Sequence, residues 1–215
     1  VYVNTTQQEF DYPSGEENVF YSYEGEGGVP LGGLPRRFLY AARYDGENQL
    51  FSSYITPESK ILFRRSLRRR ATALAPFLMY DQDPYPVVTE EGRIKYILDA
   101  YTVAQTYPYS ERYAGSIGQF AGVNYVRNSV KVVIDAYDGS VTFYAIDEED
   151  PVLQTYRNIF PELFTPISEM APTMRDHIRY PIDLIALQAD MYRVYHMNDP
   201  RAFYQREDVW EFATE

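Results

Sequence analysis

The chain has 215 residues, of which 45% are hydrophobic and 16% aromatic, and it contains no cysteine. This composition indicates a folded protein with a substantial core, and it excludes disulfide bonds, thiol catalysis and thiolate metal sites. The formal charge of -11 would repel phosphate backbones, so nucleic-acid binding is not expected.

The first third of the chain predicts two helices separated by loops. The opening VYVN has a strand-like pattern, and the glycine-rich segment 25–33 predicts a flexible or close-packed connection, because the strand-loop-helix context of a phosphate loop is missing. A short helix is expected at 34–44. The TPE sequence at 56–58 resembles a capped helix start, so a second helix is expected from there to Leu74.

The middle of the chain predicts strands, and the last third predicts helices. The expected strands are VVT, RIKYILDAY, VNYV, SVKVVIDAY and SVTFYAI, with Asp138-Gly139 as a hairpin turn between the last two. Asp150-Pro151, Tyr180-Pro181 and Asp199-Pro200 each have the pattern of a helix start.

These patterns predict an α+β fold with a central antiparallel sheet and flanking helices. We expect residues 1–215 to form a single domain that is a fragment of a longer protein. Its sub-parts would be a loop and helix segment at 1–80, a β-rich segment at 81–148 and a helical segment at 149–215.

One acidic phrase occurs twice, as LDAY at 98–101 and as IDAY at 134–137. A shift of 36 positions, 135 minus 99, also aligns Lys95 with Lys131. In one interpretation, Asp99 and Asp135 each end a strand by accepting backbone N–H groups two residues on, as in an Asx turn. If the two copies pair side by side, a lysine of one copy could instead neutralise the aspartate of the other.

The functional interpretation brings Asp99 and Asp135 together with Asp81 and Asp83 in an acidic cation or sugar pocket. Paired carboxylates of this kind could also serve a hydrolase that acts on glycans. The pattern predicts no catalytic residue, no cofactor and no dedicated metal site, since neither histidine has ligand spacing.

A basic run, RRSLRRR at 64–70, departs from the acidic average of the chain. Arg64, Arg65, Arg68 and Arg69 are expected on one polar helix face, either paired with surplus acids or in contact with anionic lipid or phosphate.

Several phrases resemble a known family of large bacterial membrane proteins, uncharacterised protein family 0182. They are EFDYPSG, GGVPLGGLPRRFLYA, APFLMYDQDPYPVV, ILDAYT, YPYS, NYVRNSVKVVIDAYDGSVTFY and FYQREDVW, which together run from Glu9 to Trp210.

The resemblance implies location more than activity. Members resemble multi-pass proteins with a large extracytoplasmic region, so this chain would be a fragment of that region at the cell membrane, soluble when isolated. The expected partner is the protein's own transmembrane region, with other envelope proteins or lipid as further candidates. The leading hypothesis is a binding or assembly module whose rigid Tyr-Pro loops, DPYPVV and YPYS, offer contact surfaces.

Overall fold

The computed structural model describes residues 1–44, 51–211 and 213 of the chain. The chain divides into two compact units, one of residues Val1–Ser66 with Asp135–Ser140 and the other of Leu67–Ile134 with Val141–Glu215. Most of the predicted β-rich and helical sub-parts therefore fall in the second unit. The description of residues 1–215 as one domain stays a prediction.

The first unit contains short strands and one helix. Their bounds are β1 Tyr2–Val3, β2 Glu9–Ser14, β3 Glu17–Tyr21, β4 Val29–Pro30, α1 Leu34–Tyr44 and β5 Lys60–Ile61. Strand β5 pairs with both β1 and β4, and β2 forms a separate hairpin with β3. A small core contains Leu31, Ala41, Ile55 and Ile61. The bounds of α1 confirm the helix predicted at 34–44.

The helix predicted from residue 56 to Leu74 is wrong over its first half. The Thr56 hydroxyl does accept a hydrogen bond from the Glu58 N–H at 3.2 Å, as in a helix cap, but the chain then enters β5. Ser59 donates to the Asn4 carbonyl at 2.7 Å, and Ile61 is buried in the core of the unit. Pairing with distant strands therefore prevails over the local helix signal.

The second unit contains a six-stranded sheet with helices on both faces. Its elements are α2 Leu67–Leu74, β6 Met79–Tyr80, β7 Tyr85–Val88, β8 Ile94–Ala104, β9 Tyr125–Asp135, β10 Val141–Ala145, α3 Pro151–Ile159, β11 Phe164–Pro166, α4 Pro172–Asp176, α5 Ile182–Tyr192 and α6 Pro200–Gln205. The strand order is β11-β10-β9-β8-β6, with β7 also on β8. The pairs β6–β8, β7–β8 and β9–β10 are antiparallel, whereas β11 runs parallel to β10. The predicted α+β fold is confirmed.

The local turn and capping signals also form as predicted. Gly139 takes φ +74 in the turn between β9 and β10, a conformation that favours glycine. Asp150 caps α3 by accepting the Val152 N–H at 2.9 Å, and Asp199 caps α6 by accepting the Arg201 N–H at 2.8 Å.

Strand β8 is buried on both faces of the sheet. On one face, Leu98 belongs to a cluster with Ala71 of α2 and Leu153 of α3. On the other, Tyr101 packs in a cluster with Leu187 of α5. The first acidic phrase lies within this double-sided core, so any of its polar groups that faces the core requires a partner.

Candidate functional site

The aspartate of the first acidic phrase is part of a buried ion pair. Asp99 is 2% exposed and pairs with the Lys131 ammonium, which is 1% exposed and also donates to the Arg179 carbonyl at 3.1 Å. This confirms that a lysine of one copy neutralises the aspartate of the other. The Asx turn predicted at Asp99 is wrong, because β8 continues to Ala104. Burial raises the pKa of Asp99, while the nearby Lys131 charge acts in the opposite direction.

The aspartate of the second phrase ends its strand, as predicted. The Asp135 carboxylate accepts the Tyr137 N–H at 2.9 Å and the Asp138 N–H at 3.1 Å. These bonds close an Asx turn at the end of β9. Asp135 belongs to the first unit, whereas Asp81, Asp83 and Asp99 belong to the second.

Asp81 acts as a helix cap supplied from far along the chain. It is 1% exposed, and its carboxylate accepts hydrogen bonds from the Tyr101 hydroxyl and from the Asp183 N–H at 3.0 Å. Asp183 lies in the first turn of α5, where Pro181 at the N-cap position has no side-chain donor or acceptor to offer. Burial and the Asp81 carboxylate both raise the pKa of Tyr101, so this phenol stays protonated.

Asp83 faces a different set of partners. It forms an ion pair with Arg179, whose guanidinium lies 3.8 Å from the centre of the Tyr85 ring. Asp81 and Asp99 are neighbours, since the Asp81 N–H donates to the Asp99 carbonyl at 2.9 Å. Among residues 1–44, 51–211 and 213, no three His, Asp or Glu side chains are grouped so that they could hold a metal ion. A ligand or cation site at these acids stays a prediction.

The second unit contains a cavity of about 420 Å³ formed by the loop between β8 and β9, by α5 and by the segment that follows α5. Its size lies in the range of small-molecule sites. Polar, charged and apolar side chains share its lining. They include Tyr113, Tyr125, Leu184, Asp190, Arg193 and Arg206.

One wall of the cavity is fixed by Asp190, a buried carboxylate on α5. It accepts a hydrogen bond from the Tyr113 hydroxyl and forms an ion pair with the Arg193 Nε at 3.2 Å. A Cβ atom at Gly115 would lie 2.1 Å from the Asp190 Oδ2, so only glycine fits there without rearrangement. Burial and the hydrogen bond to Asp190 raise the pKa of Tyr113, which keeps this phenol a donor.

A second carboxylate of α5 holds the same loop. Asp183 accepts the Gln119 Nε2 at 2.6 Å and the Gln82 N–H at 2.8 Å. Sequence reasoning missed both α5 acids. Their spacing offered a signal, because Asp183, Leu187 and Asp190 follow the i, i+4, i+7 pattern of one helix face, and an acid beside a buried leucine requires an internal partner.

The predicted YPYS contact loop forms the rim of this cavity. Tyr107 is 43% exposed and stacks on Tyr125, which lines the cavity, with ring centres 4.7 Å apart. Ser110 also lines the cavity, and Tyr109 is fully exposed. In contrast, Tyr85 of the DPYPVV loop is 9% exposed and lies beneath Arg179, so the contact role predicted for that tyrosine is wrong.

Asp150 forms a buried polar network behind the cavity. Its carboxylate accepts the Tyr125 hydroxyl at 2.6 Å, the Ser129 hydroxyl at 2.6 Å and the Thr102 hydroxyl. Burial alone would raise the pKa of Asp150, but these hydrogen bonds hold it below its ordinary value. The helix start predicted at Asp150 is confirmed, and the capping carboxylate is also the acceptor for three hydroxyls.

The predicted arginine face is not a single helix face. Arg68 and Arg69 are exposed on α2, whereas Arg64 and Arg65 precede that helix and belong to the first unit. The helix begins too late to include the first two. Contact of all four with an anion stays a prediction.

Comparison with known proteins identifies the family. The model of the Uncharacterised protein family (UPF0182) matches residues 1–215. The chain belongs to this family. A UPF0182 protein of Sulfurovum sp. (strain NBC37-1) is 50% identical over 216 residues, covering 100% of this chain and 23% of the relative. A UPF0182 protein of Desulforamulus reducens is 48% identical over 215 residues, covering 100% of this chain and 22% of the relative.

The chain thus spans under a quarter of the length of these UPF0182 relatives. No solved structure matches it. Within the described part of the chain, none of the helices has both the length and the apolar character needed to cross a bilayer.

Proposed function

We propose that this part of a UPF0182 protein is an extracytoplasmic binding module that serves the membrane-embedded part of the same protein, and that it binds its ligand in the cavity beside α5. The observation that carries the proposal is the position of the YPYS loop. This loop places Tyr107 and the fully exposed Tyr109 at the rim of a cavity large enough for a small molecule.

The cavity walls are held in place before any ligand arrives. Asp183 and Asp190 of α5 anchor Gln119 and Tyr113 of the β8–β9 loop. A preformed wall reduces the entropy lost on binding, which favours a binding role over a loose surface contact.

A glycan hydrolase is the rival, and the geometry favours it less. Such an enzyme requires two carboxylates that flank one bond within an open cleft. Asp81 and Asp99 are buried, and each carboxylate is engaged by internal donors. Asp190, which lines the cavity, already binds Tyr113 and Arg193.

A fluorescent dye tests the cavity directly. Anilinonaphthalene sulfonate, an anionic aromatic probe, should bind the 215-residue chain, and Ala114→Phe should weaken binding at least about tenfold, because Ala114 lines the cavity. Ala73→Phe is the matched control, since Ala73 is exposed on α2. Equal dye affinity of the two variants, with both folded by circular dichroism, would disprove binding in the cavity.

Cysteine labelling tests the location. The chain has no cysteine, so Tyr109→Cys places a single thiol in this region at a fully exposed position. In the full-length protein, with any other cysteines replaced, a membrane-impermeant maleimide should label this thiol in intact cells. Labelling only after cell lysis would place the module in the cytoplasm and refute the extracytoplasmic assignment.

A further inference from the structure

Helix α1 of the first unit exposes its apolar side chains. Leu34, Phe38 and Leu39 are 68%, 64% and 68% exposed, whereas Ala41 is buried in the core of the unit. At about 100° per residue, the three exposed side chains fall within an arc of about 140° that also contains Ala42. This arc is a continuous apolar face on the outside of the helix.

Positive charge borders the apolar face. Arg36 and Arg43 project about 40–60° beyond Leu39 on the helical wheel, and α1 contains no acidic residue. The Arg36 Nη1 donates to the Pro30 carbonyl at 2.9 Å, and the Arg43 guanidinium lies 5.3 Å from the centre of the Tyr44 ring. Within residues 1–44, 51–211 and 213, no carboxylate forms an ion pair with either arginine.

We infer that the outer face of α1 lies on the surface of an anionic lipid bilayer. Leu34, Phe38 and Leu39 would enter the boundary between headgroups and acyl chains, while Arg36 and Arg43 contact lipid phosphates. Local charge complementarity favours this occupant, because Arg36 and Arg43 border the apolar face and α1 itself contains no acidic residue. A lipid surface satisfies both the apolar face and the arginines beside it.

Helix α2 provides a comparison within the same chain. Its exposed residues include Arg68, Arg69, Thr72 and Ala73, and the large apolar side chain that it exposes, Leu74 at 53%, lies away from the two arginines on the helical wheel. Stable attachment to a membrane surface requires both contributions. The inference therefore concerns α1 and not the arginine-rich helix.

Vesicle sedimentation of the 215-residue chain tests the inference. The chain should pellet with vesicles of phosphatidylcholine and phosphatidylglycerol, less in high salt, and only weakly with phosphatidylcholine alone. Removing both charges with Arg36→Gln and Arg43→Gln should weaken partitioning about 30-fold, at about 1 kcal/mol per charge. Phe38→Ser with Leu39→Ser should weaken it at least as much.

The pair Arg68→Gln and Arg69→Gln is the matched control, because it removes the same charge from α2. It should retain partitioning within about threefold of the unmodified chain. Failure of the chain to pellet with anionic vesicles would overturn the inference. The apolar face of α1 would then be a candidate contact surface for a protein partner. Equal losses for the α1 and α2 arginine pairs would also overturn the inference, since attraction would then be general. Circular dichroism verifies that each variant is folded.

Discussion

The Asp99–Lys131 pair gives the most demanding prediction about the fold. Lys131→Met keeps an unbranched apolar stem but removes the ammonium that neutralises Asp99, and it also removes the donor to the Arg179 carbonyl. Both charged side chains are almost fully buried. Leaving a buried charge unpaired costs about 3–5 kcal/mol, and the unmatched carbonyl adds about 1 kcal/mol. We expect Lys131→Met to lower the free energy of unfolding by about 4–6 kcal/mol at pH 7.

Urea unfolding followed by circular dichroism and by Trp210 fluorescence measures this loss. The double variant Asp99→Leu with Lys131→Met should recover to within about 2 kcal/mol of the unmodified chain, because no buried charge remains. Lys95→Met, the equivalent lysine of the other copy, is only partly buried and serves as control. A Lys131→Met loss below about 1 kcal/mol, or no recovery in the double variant, would show that the unpaired charge of Asp99 does not determine the loss of stability.

The pH dependence of the same variant has a definite sign. Because burial raises the pKa of Asp99, protonation of this carboxylate is easier in the folded state than in the unfolded state. The contribution of Asp99 to the free energy of unfolding is therefore present below the ordinary pKa of 3.8, and it is lost as pH rises through the higher pKa of the folded state. Removal of Lys131 should accordingly cost less at pH 4 than at pH 7.

Three further substitutions test other contacts in the chain. Asp150→Asn should lower the free energy of unfolding by about 1–3 kcal/mol at pH 7. Because the folded pKa of Asp150 is low, the unmodified chain should lose stability as pH falls below 3.8, and the variant should lose less. Urea unfolding across pH measures both effects. Gly27→Ala should destabilise the first unit by about 1–3 kcal/mol, because the new Cβ would lie 2.1 Å from the Asp138 carbonyl oxygen. Faster cleavage of the first unit in limited proteolysis would report the destabilisation. Gly115→Ala should displace Asp190 and weaken dye binding in the cavity, which fluorescence titration measures.

Local signals in the sequence predicted much of the fold because the residues that decide them are close in the chain. The turn at Asp138-Gly139 and the caps at Asp150 and Asp199 depend on hydrogen bonds that span two to four residues. The helix predicted from residue 56 failed for the opposite reason. Strand β5 pairs with β1, which lies at the start of the chain. The short stretch of sequence around residue 56 therefore does not contain the partner strand.

The candidate site was harder to predict because its residues meet across long separations. The Asp81 carboxylate caps α5 at a distance of 102 residues, and Asp190 binds Tyr113 across 77 residues. Amphipathic spacing indicates that Asp190 faces inward, but no periodicity can reveal which hydroxyl it meets. The Asp99–Lys131 pair was predictable only because the repeated phrase aligned the two strands.

A crystal structure of the chain with bound anilinonaphthalene sulfonate would test whether the cavity beside α5 is a binding site, since it shows where a small anionic aromatic molecule binds. We expect the dye in the cavity beside Tyr113 and Leu184, beneath the loop that carries Tyr107. Dye found only on the apolar face of α1 or elsewhere on the surface, with the cavity unchanged, would contradict this expectation.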